Sequence, residues 1–182
     1  MKRLAISIAH HKNAKGASYG DMNEFDVSVI ISELLFTYCK LFMFDDIEAV
    51  LVPEGRLHNK VKFINDNDFD VAIEVHLNSH IDKSISGHEV LYCPDSYKGK
   101  KLADRINKAL SLENYTKNRG VNEGWYRMEV GGRVDYFLAR TNCPAVIIEP
   151  EFIAKLDMKD IWCVVEAIAK GVHSYERLSC KL

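Results

Sequence analysis

The sequence has no C-x-x-C pair, no internal repeat, no low-complexity linker and no apolar run approaching the length of a membrane span. Each absence excludes a class of protein. Five cysteines (Cys39, Cys93, Cys143, Cys163, Cys180) are scattered through 182 residues. An odd count without paired spacing reads as reduced thiols, not as a disulfide framework. A membrane helix needs about 20 consecutive apolar residues, and no stretch here supplies them. Four prolines and ten glycines are spread thinly, so no segment marks a domain boundary. Neither charge sign dominates: 24 Lys and Arg against 26 Asp and Glu leave a formal charge of −2. That balance lacks the basic excess of a nucleic-acid binder and the acidic block of an interaction tail. Neither nucleic acid nor a membrane is therefore expected as a partner. The opening segment also lacks a signal-peptide core. Its apolar run, Leu4 to Ala9, falls short of the roughly 7–15 residues required, and His10-His11-Lys12 follows at once. The segment reads as a first strand, and synthesis in the cytoplasm without an export signal is expected.

What is present is the composition of an ordinary globular protein, 47% hydrophobic and 27% charged. This excludes a disordered tail, a collagen-like chain and a simple coiled coil. The length suits about one domain, able to bury roughly 70% of its unfolded surface without a disulfide or metal staple. A single domain over residues 1–182 is expected. Apolar strands are expected at Leu4–Ala9, Ile47–Val52, Val71–Leu77, His88–Cys93 and Ala145–Ile148. Between them lie helical patterns. Met22–Met43 repeats Val27, Ile30, Ile31, Leu34, Tyr38, Leu41 and Phe42 at three- and four-residue steps. Leu57–Asn67, Tyr97–Leu112 and Lys159–Tyr175 follow the same rule, the last with Ile161, Val164, Val165, Ile168 and Val172 inward. Alternating strands and helices predict an α/β fold: a three-layer, mostly parallel twisted sheet with helices on both faces. The stretch Asn114–Thr141 is the exception, being polar and rich in Gly, Asn and Arg. Long irregular stretches in compact domains are uncommon and often functional. It is expected to wall a substrate groove, with a strand at Val134–Leu138.

Open α/β sheets bind ligands beyond the carboxyl ends of their strands. The first strand ends at His10-His11, the third at His76 followed by Asn78 and His80, and the last at Glu149 followed by Glu151. The long helix begins at Asp21-Met22-Asn23-Glu24. Imidazoles and carboxylates from four distant segments thus converge on one edge. Two His and one carboxylate, with a fourth position open, are the donor inventory of a catalytic zinc site. Singly, each has a plainer role. Asp21 with Glu24 fits a capping box, His76 a hydrogen-bonded strand end, Glu149 a solvated charge, and His10 or His11 a polar loop.

Taken together, the segments resemble a known family. Ala9 to Ala17 resembles the first motif of the zinc-dependent N-acetylmuramoyl-L-alanine amidases of the amidase-3 type, in which a strand-end His lies six residues before a Gly-Ala pair, here Gly16-Ala17. Asn23-Glu24-Phe25 is similar to their second motif, and Ala72 to Asn78 to the third, with Glu74 standing where Ser is usual. Gly87 to Tyr92 is similar to their Gly-x-Glu-Val strand, and Cys143 to Glu149 to their Pro-Ala-Val-x-x-Glu motif. The resemblance spans roughly residues 3 to 175 in family order. It departs at Ser7-Ile8-Ala9, where Asp-Pro-Gly is usual, and at Pro150-Glu151-Phe152, which brings in a second carboxylate.

The resemblance implies a peptidoglycan substrate, cut at the amide joining N-acetylmuramic acid to L-alanine. It implies Zn2+ held by His10, Glu24 and His76, with His10 preferred to His11 by the Gly-Ala spacing, and Glu149 as general base. It also implies an endolysin-like catalytic domain of phage or prophage, made in the cytoplasm and released to the wall through a separate pore. Sporulation-related lysis is the alternative. Trp125, Arg127 and Arg140 are expected at the sugar or stem peptide, and Glu74, sharing the strand parity of His76, beside the ligands. The competing readings are a zinc peptidase or amidohydrolase acting on another amide, and a non-catalytic wall-binding module. A glycosidase using Glu149 and Glu151 is disfavoured, because carboxylates two residues apart cannot flank a sugar at the required separation of roughly 5–9 Å.

Overall fold

The computed structural model describes residues 1–43, 45–113, 116–126 and 133–176. Among these, six strands form one sheet: β1 (Lys2–Ile8), β2 (Ile47–Leu51), β3 (Val71–Val75), β4 (His88–Tyr92), β5 (Asn118–Glu123) and β6 (Ala145–Glu149). Their order across the sheet is β2-β1-β3-β6-β4-β5. β2, β1, β3 and β6 are mutually parallel, β4 runs antiparallel to β6, and β5 is parallel to β4. The helices are α1 (Glu24–Phe42), α2 (Leu57–Asp66), α3 (Tyr97–Leu112), α4 (Tyr136–Arg140) and α5 (Ile161–Glu176). This is the mostly parallel α/β architecture that the alternating pattern predicts.

Successive strand residues point to opposite faces, and both faces are covered. Leu4, Ile6, Val71, Ile73, Val75, Val146 and Ile148 pack with α1, α3 and α5 in the larger core. Ala5, Ala72, Ala145 and Ile147 pack with Val61 and Ile64 of α2 and Phe137 and Leu138 of α4 in a smaller one. Strands apolar on both faces are what a sandwiched parallel sheet requires. The face parity also decides the chemistry. Ser7, Glu74 and Glu149 share the parity of Ala5, Ala72 and Ala145, so polar groups gather on the thinly covered side.

Three expectations are corrected. The buried stripe of α1 is Val27, Ile31, Leu35 and Cys39, whereas Ile30, Leu41 and Phe42 are 39%, 64% and 63% exposed. The helix is apolar on more than one face, so spacing alone does not select the stripe that meets the sheet. The outward group instead forms an aromatic surface, with Tyr38 4.9 Å from Phe42 and 5.7 Å from Trp162 between ring centroids. The strand expected at Val134–Leu138 is instead a short pairing of Arg133–Val134 with Trp125–Tyr126, followed by α4. Asp135 starts that helix, its Oδ1 accepting from the Phe137 amide at 2.8 Å, and the cap outweighs the strand preference of Val, Tyr and Phe. Third, β5 emerges from a segment read as irregular. It is a polar edge strand whose pairing with β4 shifts register between His88 and Val90, and Gly120 within it adopts φ 99°.

Candidate functional site

β1, β3 and β6 end on the same edge of the sheet, where α1 begins. Ser28, buried on α1, ties two of these ends together. It accepts from the Ala9 amide at 2.9 Å and donates to the Val75 carbonyl at 2.6 Å. The chain therefore leaves β1 and β3 at fixed points just before His10 and His76.

His10 Nε2 lies 2.9 Å from Glu24 Oε2, and His76 Nδ1 lies 2.9 Å from Glu24 Oε1. One ligand atom from each of the three falls within 4.8 Å of the others. Glu24 does not cap its own helix. Asn23 is the cap, accepting from the Asp26 amide at 3.0 Å, and Asp21 is exposed. Glu24, 5% exposed, turns away and accepts from the Ala17 and Leu77 amides at 3.0 and 3.1 Å. His11 lies outside the cluster, its Nδ1 accepting from the Asn13 amide at 3.3 Å. The strand alternation that would oppose His10 and His11 does not apply, because β1 stops at Ile8 and His10 takes φ 60°.

Gly16 explains why this pocket forms. At φ 75°, a conformation that favours glycine, it passes so close that a Cβ would meet His10 Nε2 and Glu24 Oε2 at 2.5 Å. The chain thus closes over the ligands only without a side chain there. Two imidazoles and a carboxylate, partly open to solvent and backed by backbone amides, are a donor set suited to a divalent transition metal.

Glu149, which ends β6, and Glu151, two residues beyond it, are in different situations. Glu149 lines a groove of about 1510 Å³ together with His10, Glu24 and His76. Glu151 is 4% exposed, and its Oε1 accepts from the Gly87 and Phe152 amides, both at 2.7 Å. It fastens the turn before β4. Glu89 pairs in register with Glu149 and lines the same groove. It accepts from Asn122 Nδ2 at 2.8 Å, from Asn78 Nδ2 and from Arg119 Nε. Trp125 is on this groove wall, half exposed, donating to Glu123 Oε2 at 2.6 Å. A second cavity of about 860 Å³ carries Arg140, Arg56 and Tyr136. The two meet at His10, His76 and Asp135. Arg127 lies outside the described residues. Sequence reading missed Glu89, Arg119 and Lys60. For Glu89 a signal existed: on β4 it alternates with buried His88 and Val90, so its side chain shares the groove side with Glu149.

Electrostatics set these carboxyls apart. Burial opposes charge on Glu24, but hydrogen bonds from His10 and His76 and from the Ala17 amide hold it well below the usual carboxylate range. Burial likewise opposes charge on His76, yet the Glu24 and Glu74 carboxylates on its two nitrogens push it up to about 10. Burial pushes Glu149 up to about 7; His76 opposes the rise, and the Glu89 and Glu24 charges add to it. A carboxyl kept near neutrality beside one kept ionised is the separation by which acid–base roles are divided.

The Amidase_3 model, described as N-acetylmuramoyl-L-alanine amidase, matches residues 4–172. The chain belongs to the N-acetylmuramoyl-L-alanine amidase family. It is thus an enzyme of a family of peptidoglycan hydrolases. No curated protein matches it by sequence. Among solved structures it is similar to the N-acetylmuramoyl-L-alanine amidase from Clostridium difficile 630, at 23% identity and TM-score 0.84, covering 100% of this chain and 98% of that one. It is similar to the catalytic domain of the amidase CwlV from Bacillus (Paenibacillus) polymyxa var. colistinus, at 20% identity and TM-score 0.84, covering 98% and 99%. It is also similar to the catalytic domain of the CD27L endolysin targeting Clostridia difficile, at 24% identity and TM-score 0.74, covering 96% and 98%. These likenesses establish a shared fold.

Proposed function

We propose that this amidase-family chain is zinc-dependent and cleaves the amide between N-acetylmuramic acid and L-alanine, with His10, Glu24 and His76 as ligands and Glu149 as general base. One observation carries the reading: two imidazoles and a carboxylate gather within 4.8 Å in the groove that Glu149 also lines. When bound, zinc supplies Lewis acidity, lowering the pKa of a water and polarising a carbonyl oxygen. Glu149 takes the proton of the attacking water onto a carboxylate oxygen and delivers it to the amide nitrogen as the C–N bond breaks. Its place at the end of a sheet strand fixes that oxygen, and a pKa near 7 serves both accepting and giving. Trp125 and Arg119 offer an aromatic face and a cation to the substrate on one side of the ligands, and Arg140 a cation on the other.

The test is the bond cut. Purified peptidoglycan digested with the zinc-loaded chain should release stem peptides with a free L-alanine amino terminus, identified by mass spectrometry. Chelation should abolish release while circular dichroism stays folded, since the core is large enough without metal. Release of sugar fragments, or of peptides cut internally, refutes the substrate. Unfolding on chelation makes the site structural.

Likeness to the CD27L catalytic domain supports an endolysin role, with the chain made in the cytoplasm and passing through a pore. Cells expressing it are expected to lyse only when a membrane pore is supplied. Lysis without one overturns that route.

A further inference from the structure

Behind the ligands lies a buried ion pair that neither the fold nor the reaction chemistry requires. Lys60 on α2 is 2% exposed and Glu74 on β3 is 3% exposed, with Lys60 Nζ 3.8 Å from Glu74 Oε1. Removing both charges from water is costly, and such pairs are often replaceable by apolar side chains without loss of stability. Stability is therefore a weak reason for this one, and its contacts supply a better reason. Lys60 Nζ donates to the carbonyls of Ile8 and His10, the latter at 2.7 Å. These carbonyls bracket the turn in which His10 takes φ 60°, a backbone state that persists only when its surroundings hold it. Glu74 Oε1 accepts from Ser7 Oγ at 2.8 Å, and its Oε2 lies 3.1 Å from His76 Nε2. A proton shared on that side leaves Nδ1 of a neutral imidazole as the bare nitrogen, and Nδ1 is the atom 2.9 Å from Glu24.

We propose that the Lys60–Glu74 pair is a positioning device for the metal site, fixing the His10 backbone with one partner and the His76 ring with the other, and so raising affinity for zinc. The inference rests on His10, Glu24 and His76 being the ligands. It differs from them in not belonging to the ligand cluster itself. Histidine ligands that give their second N–H to a carboxylate are held in tautomer and orientation by it. Here the carboxylate is in turn held by a hydroxyl and an ammonium, and the same ammonium reaches the other histidine.

The test measures zinc affinity by competition with a chromophoric chelator at fixed pH. In Glu74→Gln, Ser7 Oγ and Lys60 Nζ hold the amide carbonyl on the Oε1 side, so the NH2 group faces His76 Nε2 and favours the proton on Nδ1, the metal-facing nitrogen. Affinity is expected to fall about 10–100-fold, the range for lost outer partners of a ligand. Nitrogen-15 spectra of the zinc form should show the His76 Nε2 proton shifted in the variant, a signature that general loosening of the fold does not produce. Lys60→Met alone leaves Glu74 buried without its partner, so Lys60→Met/Glu74→Gln, which removes both charges, is measured beside it. Melting curves establish that each variant is folded. The double variant is expected to lose at least as much affinity as Glu74→Gln. Folded variants that bind zinc within about twofold of wild type overturn the inference and leave the ligand assignment standing. A wild-type chain that binds no zinc overturns the ligand assignment, and this inference with it.

Discussion

Replacing Glu149 with glutamine is expected to lower kcat about 10²–10⁴-fold, the usual contribution of a general base, with zinc still bound. Glutamine keeps the size and hydrogen-bonding reach of the side chain but cannot take a proton. Glu151→Gln, by contrast, changes a carboxylate whose hydrogen-bond donors among the described residues are the Gly87 and Phe152 amides. It should cost about 1 kcal/mol of stability and leave kcat within about tenfold. The same Glu149 substitution should stabilise the metal-free fold. Burial raises this carboxyl from its ordinary 4.5 to about 7 in the folded chain, so the unfolded chain ionises it first. Stability is then lost as pH rises through that window. Above it, metal-free Glu149→Gln should exceed wild type by about 3 kcal/mol, and below pH 4.5 the two should coincide. Urea denaturation in the presence of chelator measures the difference, and steady-state turnover measures kcat. Should Glu151→Gln prove the dead variant, the alignment through Pro150 is wrong. Should Glu149→Gln lose its zinc, Glu149 is itself a ligand.

Glu24→Gln is expected to abolish stoichiometric zinc and reduce kcat by about 10³-fold or more, since Lewis-acid stabilisation amounts to several kcal/mol. A single carbonyl oxygen cannot serve both histidines and both amides that the carboxylate now joins. The cluster also sets the pH profile of the metal-free chain. Glu24 is depressed, so its contribution is present above its ordinary 4.5 and lost as pH falls. His76 is raised from 6.5 to about 10, so its contribution is complete below 6.5 and lost as pH climbs through that interval. The Glu24–His76 contribution should therefore be greatest between pH 4.5 and 6.5, and the Glu149 loss above 4.5 moves the overall metal-free maximum to the acid end of that range. Zinc binding displaces the proton that joins His76 to Glu24, so added zinc should raise stability most on the alkaline side. Atomic absorption gives the stoichiometry, and denaturation across pH gives the profile. Metal-free stability that climbs from pH 6.5 to 10 contradicts the charged His76 described here.

The elements that carry His10, Glu24, His76 and Glu149 are legible in the sequence for one physical reason. Each strand is a continuous apolar run because it is buried on both faces, and the helix carries a buried stripe at helical spacing. Tyr97–Leu112 is read to the residue because Leu102, Ile106 and Leu110 leave a single inward stripe. β5 is not legible, since an edge strand needs only half its ladder and can be built of Asn, Arg, Gly and Glu. Nor is α4, whose five residues carry no period and owe their start to Asp135. In the site, the choice of His10 over His11 comes from the spacing to Gly16, and the structure supplies the cause, the close pass of Gly16 against the His10 ring. Lys60 is hidden because it sits in a polar stretch, His58-Asn59-Lys60, where a lysine reads as solvated. Only the fold places it under the end of β1. Glu74 is half legible: its parity with His76 is visible, but its hydrogen bonds to Ser7 and His76 depend on the register that sets Ser7 opposite Glu74.

The margin of the sheet at β5 has a colloidal consequence. An outermost strand shows unpaired amides and carbonyls to any neighbouring molecule, and a straight, apolar one recruits copies of itself. β5 offers neither property. Its residues are Asn118, Arg119, Gly120, Val121, Asn122 and Glu123, its pairing slips between His88 and Val90, and Gly120 bends it out of register. A second chain laid alongside would find charged side chains and a broken ladder. The strand that carries Arg119 and Asn122 to the groove is thus also the one that resists sheet extension, so crowding many copies together need not seal the rim through which substrate enters.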